Sequence, residues 1–549
     1  MINFKFPVAF LRAGLCSTTL AALSVTSVSA QAQTIKEAPL RAHLGFLADD
    51  LLEGRGTGQR GGDLAVRYLE TQAAAIGLKP LSGNAYRQSV PLVGVTAQPT
   101  SSLQFEVGGK VMKTEFGTQA VYGTGGNQSN IAFNAPVVFV GYGIRSEEER
   151  WNDYKNVDVK GKLLIMMVND PQPTAEEPNR FGGKSLTYYG RWTYKYEQAL
   201  REGAAGVLLI HTTPSASYGW SVPVNSFSHE RFHLDGAGNP IEGWLHDDTA
   251  RALLSAAGQD LDALRAKAES RDFQPVFINA IAQVDLKTTV RRVEQFNVVG
   301  MVPGTDPKLK EEAVIYSAHW DHLGKIAASG TEKADHIWNG AIDNASGAAS
   351  LIAMAQAAVD HPARRTLIFL WPCAEEQYLL GSAAYVKNPL WPLAKTSADL
   401  NLDSMNFVGK TLDIGVAGSE HSSLNQTAAV VAKKMGMHLA PQVPDLSGSF
   451  FRADHFNFAR AGIPAFNVGS AVFSGDGHFE FEKNDQVSNS VMHNFTKHYH
   501  QETDRYDPNW DLSGMVQQAQ FTLNLGYAVA NATGMATWKT GDTFGKVKR

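Results

Sequence analysis

Cysteine is nearly missing from this chain: 549 residues hold only Cys16 and Cys373. Lys5 and Arg12 flank an apolar, small-residue run from Ala13 to Val25, and Val28-Ser29-Ala30 fits a small-residue cleavage site, so residues 1–30 read as an export signal. Cys16 would leave with that signal, and Cys373 alone excludes an intrachain disulfide despite an oxidising destination, periplasmic or fully secreted. Ala13-Gly14-Leu15 before Cys16 is not a lipoprotein box, so no lipid anchor is expected. No later stretch reaches about 20 uncharged apolar residues, which excludes a membrane-spanning helix. Lys/Arg runs are also missing, and the net charge of -5 becomes -7 once the two basic residues of the signal are gone. That balance argues against nucleic acid as a partner. There is no internal repeat or low-complexity tract.

What is present is an ordinary globular composition, 44% hydrophobic and 19% charged, at a length that implies at least two domains. Pro39 to Leu52 spaces Leu40, Leu44, Leu47 and Leu51 as a one-sided helix, and a second helix over Asp63 to Ile76 should stop at Gly77. Between them lies a glycine run, Gly54 to Gly62, which lacks the preceding strand and the Gly-Lys-Ser/Thr of a phosphate loop. Gln88 to Val121 alternates like meandering strands. From Asn134 to about Asp285, runs such as PVVFVGYGI, GKLLIMMV and AAGVLLIH read as an inserted β-rich domain, with helices over Tyr194–Arg201 and Trp244–Ala268. From Asn297 strand and helix alternate, which implies a mostly parallel or mixed sheet with helices on both faces. The expected organisation is therefore a main domain of residues 31–133 and 286–549, interrupted by residues 134–285.

Polar groups gather where these strands end, the usual ligand position of an open α/β sheet. Strand Val314 to Ala318 runs into His319, Asp321 and His322, and a loop then brings Asp343 to the mouth of a small-residue helix, Ala345 to Val359. His319 and Asp321 project to one side, and a carboxylate beside an imidazole can fix the tautomer of a metal-bound histidine. Taken alone, a surface loop holding two histidines explains this stretch as well. Strand TLIFLWPC ends in Glu375 and Glu376, ADLNLD ends at Asp403, and His498 to Asp504 adds a further cluster. Two carboxylates after so apolar a strand need a positive partner. Asp403 taken singly is equally a helix N-cap, and spacing does not separate His500 from His493 and His498.

Taken in order, HWD, AIDNASG, AEEQYLLGS, NLD and YHQETD resemble the M28 family of zinc peptidases, supported by DDLLEGRGTG, NVVGMVPGTDP and FRADHFNFARAGIPAF elsewhere. VDVKGKLLIMM and EQALREGAAGVLLIH resemble the protease-associated (PA) domain that many members carry. The resemblance implies a zinc exopeptidase fold and two Zn²⁺ ions acting on peptides. His319 and Asp403 would hold one ion, Glu376 and His500 the other, and Asp343 would bridge them. Glu375 would be the general base and Asp321 the carboxylate orienting His319. Asp504 would support His500 or serve as a plain turn residue, and Asp454 and His455 would line the substrate pocket or cap and pack a helix. His322 and His336 receive no role. An aminopeptidase is the leading expectation. A carboxypeptidase for acidic C-terminal residues would need arginines such as Arg191, Arg452 and Arg460 around the substrate carboxylate. The large insertion argues against a single-zinc glutaminyl cyclase, and the complete ligand set argues against a receptor that kept only the fold.

Overall fold

A computed structural model describes residues 33–155, 157–326, 336–469, 480–483, 490 and 496–548; the expected export signal lies outside them. The protein is a mixed α/β structure built on a 15-stranded sheet flanked by helices. One strand, Val276–Val302, runs through both halves of that sheet over 27 residues. Its end, Val298–Val302, pairs antiparallel with Leu367–Trp371, and Thr288–Val298 pairs with Arg87–Ala97. Its beginning pairs instead with Asn130–Phe139 and Ser102–Val107.

In the main half, Ala313–Ser317, Thr366–Trp371, Thr396–Asn401 and Ala465–Asn467 lie parallel. Both faces are covered, which is why these strands read as continuous apolar runs rather than alternations. Val314, Tyr316, Leu367 and Phe369 pack beneath helices Glu37–Leu47, Arg60–Ile76, Ser346–Ala358 and Ser513–Asn531. Ile315, Ile368 and Leu370 face the other way, onto Tyr385 and Phe458. The other half repeats this logic: Phe139, Ile165 and Ile210 pack on one side, and Val138, Leu164 and Leu209 on the other.

Strand pairing does not follow the change of texture at Asn134. Ser102–Val107, Lys110–Lys113 and Ala120–Gly123 join the half that contains Asn130–Phe139, while Arg231–Leu234 crosses back to pair with Leu92–Val95. The helix expected over Trp244–Ala268 is a strand, Ile241–His246, followed by two helices, Asp247–Ala256 and Leu261–Ala268. Trp244 belongs to the strand because IEGWLH pairs along its length with Gly206–His211. The first helix is Glu37–Leu47, after which Glu53 and Gly54 turn left-handed at φ 49° and 67°. The second ends at Gly77, φ 92°, as its glycine implies. Among the described residues no helix is long and apolar enough to cross a membrane.

Candidate metal centre

The polar residues singled out in the sequence meet at one edge of the main half, just past the ends of its parallel strands. Asp343 lies between two groups of side chains. On one side, Nε2 of His319 is 3.5 Å from Asp343 Oδ1, 3.6 Å from Asp403 Oδ1 and 3.8 Å from Glu375 Oε2. On the other, Nε2 of His500 is 3.3 Å from Asp343 Oδ2 and 2.9 Å from Glu376 Oε2. His322, left without a role by the sequence motifs, joins the second group with Nδ1 2.5 Å from Glu376 Oε1. Among the described residues, His319, Glu375 and Asp403 form one set able to surround an ion, and His322, Asp343 and Glu376 another.

Apart from the His322–Glu376 hydrogen bond, these approaches are close without being hydrogen bonds. Nε2 of His319, Nε2 of His322 and both ring nitrogens of His500 are buried and lack a hydrogen-bond partner. Buried polar nitrogens are normally satisfied, so a group of them aimed at shared carboxylates fits a bound cation. Charge points the same way, because Asp321, Asp343, Glu375, Glu376 and Asp403 outnumber the three imidazoles in a cluster that solvent scarcely reaches. Carboxylate and imidazole donors suit Zn²⁺, and also Mn²⁺ or Co²⁺.

The electrostatics divide the adjacent glutamates. Burial pushes Glu375 well above the usual carboxylate range, with Asp403 and Glu376 adding to the shift against His319. Burial and Asp343 also push Glu376 upward, but the His500 and His322 rings outweigh them and hold it at about 2. Burial would lower both His319 and His500; instead Glu375, Asp343 and Asp403 hold His319 well above its ordinary value, and Glu376 and Asp343 bring His500 to about 10. Backbone strain concentrates here as well. Ala374, before the glutamates, has φ 52°, Ser404, after Asp403, has φ 61°, and His500 itself has φ 55°.

The supporting residues differ in detail from expectation. Nδ1 of His319 is 3.2 Å from the main-chain oxygen of Asp321, whereas the Asp321 carboxylate is 3.8 Å away and accepts from the Glu375 N–H at 3.1 Å. Asp504, read either as support for His500 or as a turn residue, accepts from the main-chain N–H groups of Ile342 and Asp343. Asp454 and His455, read either as pocket lining or as a helix cap with a packed histidine, are each 1% exposed and are not among the residues lining the cavity. Arg452, in the bend before helix His455–Arg460, and Phe456, inside that helix, line the cavity instead. His455 packs its ring 5.0 Å from Phe450. His336 pairs with Glu502 at 3.0 Å.

A cavity of about 320 Å³ opens over the cluster, with Glu375, Glu376 and His500 at its base and Tyr196, Phe227 and Trp244 in its wall. The wall residues come from the segment 134–285, as does Asn225, whose side-chain amide donates to the His500 carbonyl at 3.1 Å. No sequence spacing signals these long-range contacts.

Fold and site together define a mixed α/β protein with a candidate metal centre at the carboxyl edge of its parallel strands. Residues 297–523 match the sequence model of peptidase family M28. The chain is 26% identical over 189 residues to a protein named "Probable leucine aminopeptidase" from Arthroderma otae, covering 33% of this chain and 47% of that one. It is 25% identical over 281 residues to "Leucine aminopeptidase 1" of Arthroderma gypseum, covering 49% and 67%. It thus spans about half the length of the first of these relatives. Among solved structures, an aminopeptidase from Aneurinibacillus sp. strain AM-1 superposes with a TM-score of 0.51 at 17% identity, covering 92% of this chain and 95% of that one.

Proposed function

We propose that this protein is a metal-dependent exopeptidase that removes N-terminal residues from peptides, working outside the cytoplasm with two Zn²⁺ ions. The observation that carries the reading is the placement of Asp343, with one oxygen toward His319 and Asp403 and the other toward His500 and Glu376. In this reading His319 and Asp403 would hold one ion, Glu376 and His500 would hold the other, and Asp343 would serve both. His322 then orients Glu376 or completes its ion's shell. Bound there, zinc supplies Lewis acidity toward water and the peptide carbonyl.

The chain's own residues do the remainder. Glu375 faces the cavity and takes the proton of the attacking water on its carboxylate, then returns it to the leaving amine. Its backbone is held by Asp321, so the carboxylate that the sequence pairs with His319 positions the base as well. Asp504 fixes the turn that aims Asp343. The walls supplied by segment 134–285 limit water and shape the substrate pocket. We read that segment, together with the strands from Ser102 that join its sheet, as a PA-like insertion.

Chelation should abolish cleavage of unblocked leucyl peptides and Zn²⁺ should restore it; activity that survives complete metal removal would sink the reading. A second reading draws on one observation. Arg191 lines the cavity, is 7% exposed, and has no hydrogen-bond acceptor for its buried Nε. A guanidinium so placed suits a substrate carboxylate, as a carboxypeptidase requires. Peptides with amidated C-termini separate the two, since only the carboxypeptidase loses them as substrates.

A further inference from the structure

Arg55 lies outside the residues matched by the family model, in the stretch DDLLEGRGTG, to whose arginine the sequence assigns no role. Its side chain is fully buried. Among the described residues it makes no hydrogen bond to a carboxylate; every one goes to a main-chain carbonyl. Nε donates to Trp320 O at 2.7 Å, Nη1 to Leu47 O and Asn339 O at 2.6 Å each, and Nη2 to Gly340 O at 2.9 Å. Trp320 lies between His319 and Asp321, and Asn339 and Gly340 lead into the turn of Asp343. One planar cation thus ties together the two loops from which His319, His322 and Asp343 project.

The neighbouring backbone reinforces the tie. The His322 N–H donates to Arg55 O at 3.4 Å, Gly56 bridges His322, and the Thr57 hydroxyl donates to Asp321 Oδ2 at 3.5 Å. The glycines make the approach possible. A Cβ on Gly54 would stand 2.3 Å from Trp338 O and 2.5 Å from Gly324 O, and one on Gly56 would stand 2.8 Å from Gly324 Cα. Chain packed that tightly admits no side chain at either glycine.

A buried charge is an expensive way to fill space, and apolar groups of similar volume commonly serve as well or better. Holding carbonyls from several segments in one plane is what a guanidinium does and an ammonium or an apolar chain does not. From this geometry we infer that Arg55 is a positioning residue of the metal centre, setting the spacing of the two loops so that metal affinity depends on it. The inference rests on the metal-centre reading above.

The test is zinc affinity, measured by competition with a chromogenic chelator, together with melting temperature with and without zinc, for wild type, Arg55→Lys and Arg55→Met. Lysine keeps the charge but not the fork; methionine keeps neither. Both should weaken zinc binding by about 10- to 100-fold, the range seen when groups orienting metal ligands are removed. Both should also shrink the zinc-induced rise in melting temperature. Unchanged zinc affinity with a lowered melting temperature in chelator would make Arg55 purely structural and overturn the inference. Tighter zinc in Arg55→Met would also overturn it, because charge repulsion would then outweigh positioning. Wild-type protein that binds no zinc would instead remove the metal-centre reading, and this inference with it.

Discussion

Glu375 and Glu376 are neighbours with opposite environments, and the left-handed turn at Ala374 is what separates them. One is buried toward the cavity and pushed well above the usual carboxylate range; the other is pulled down by two imidazoles. Their substitutions should therefore fail differently. Glu375→Gln should retain zinc at the wild-type ratio while turnover falls about 10²- to 10⁴-fold, the usual contribution of a positioned base. Glu376→Gln should lose zinc as well as activity, which metal analysis of the purified variants would reveal. The sequence made both glutamates visible because carboxylates after an apolar strand demand a partner. It did not make His322 visible. Three residues after His319, this ring reaches Glu376 only because the loop folds back, and no periodicity encodes that reversal. Asp504 likewise reads as a histidine partner from its nearness in sequence, yet its acceptors serve the turn before Asp343.

At the scale of elements, the strand ends and helices were legible because buried parallel strands leave an unbroken apolar signature. Trp244–Ala268 shows the limit: a short apolar run carries no period that separates strand from helix. The turn into helix Ser346–Ala358 depends on Gly340, φ 55°, where a Cβ would stand 2.1 Å from Asp343 O and 2.4 Å from the His322 ring. Gly340→Ala should lower zinc content and destabilise the holo-protein by about 1–3 kcal/mol, the scale of a forced backbone outlier, as urea unfolding would measure. The helix His455–Arg460 carries a pH dependence. Burial lowers His455 to about 3, so its neutral ring belongs to the folded state while the unfolded chain takes up a proton near pH 6.5. The unfolded state binds more protons below that point, so this contribution is complete above about pH 6.5 and is lost as pH falls toward about 3. Urea midpoints at pH 7.5 and 5 should fall with acidity, and His455→Asn should flatten the slope.

At the scale of the whole molecule, residues 297–523 do not close a core by themselves. Leu40, Leu44 and Leu47 from the first helix and Ala65 and Leu69 from the second pack in the same cluster as Val314 and Phe369. Residues 297–523 expressed alone should show no cooperative thermal transition by circular dichroism; a sharp melt would mean that the N-terminal helices are dispensable. The change of texture at Asn134 marked a real difference in strand character, but a single strand, Val276–Val302, belongs to both halves of the sheet, and pairing of that kind depends on partners far away in sequence.

The most direct test of the account is mass spectrometry of the products formed from one short peptide in three forms: unblocked, N-acetylated and C-amidated, each with added Zn²⁺ and with chelator. The account predicts stepwise loss from the N-terminus of the unblocked and C-amidated forms, none from the N-acetylated form, and none in chelator. Loss from the C-terminus, or cleavage that persists in chelator, would contradict it.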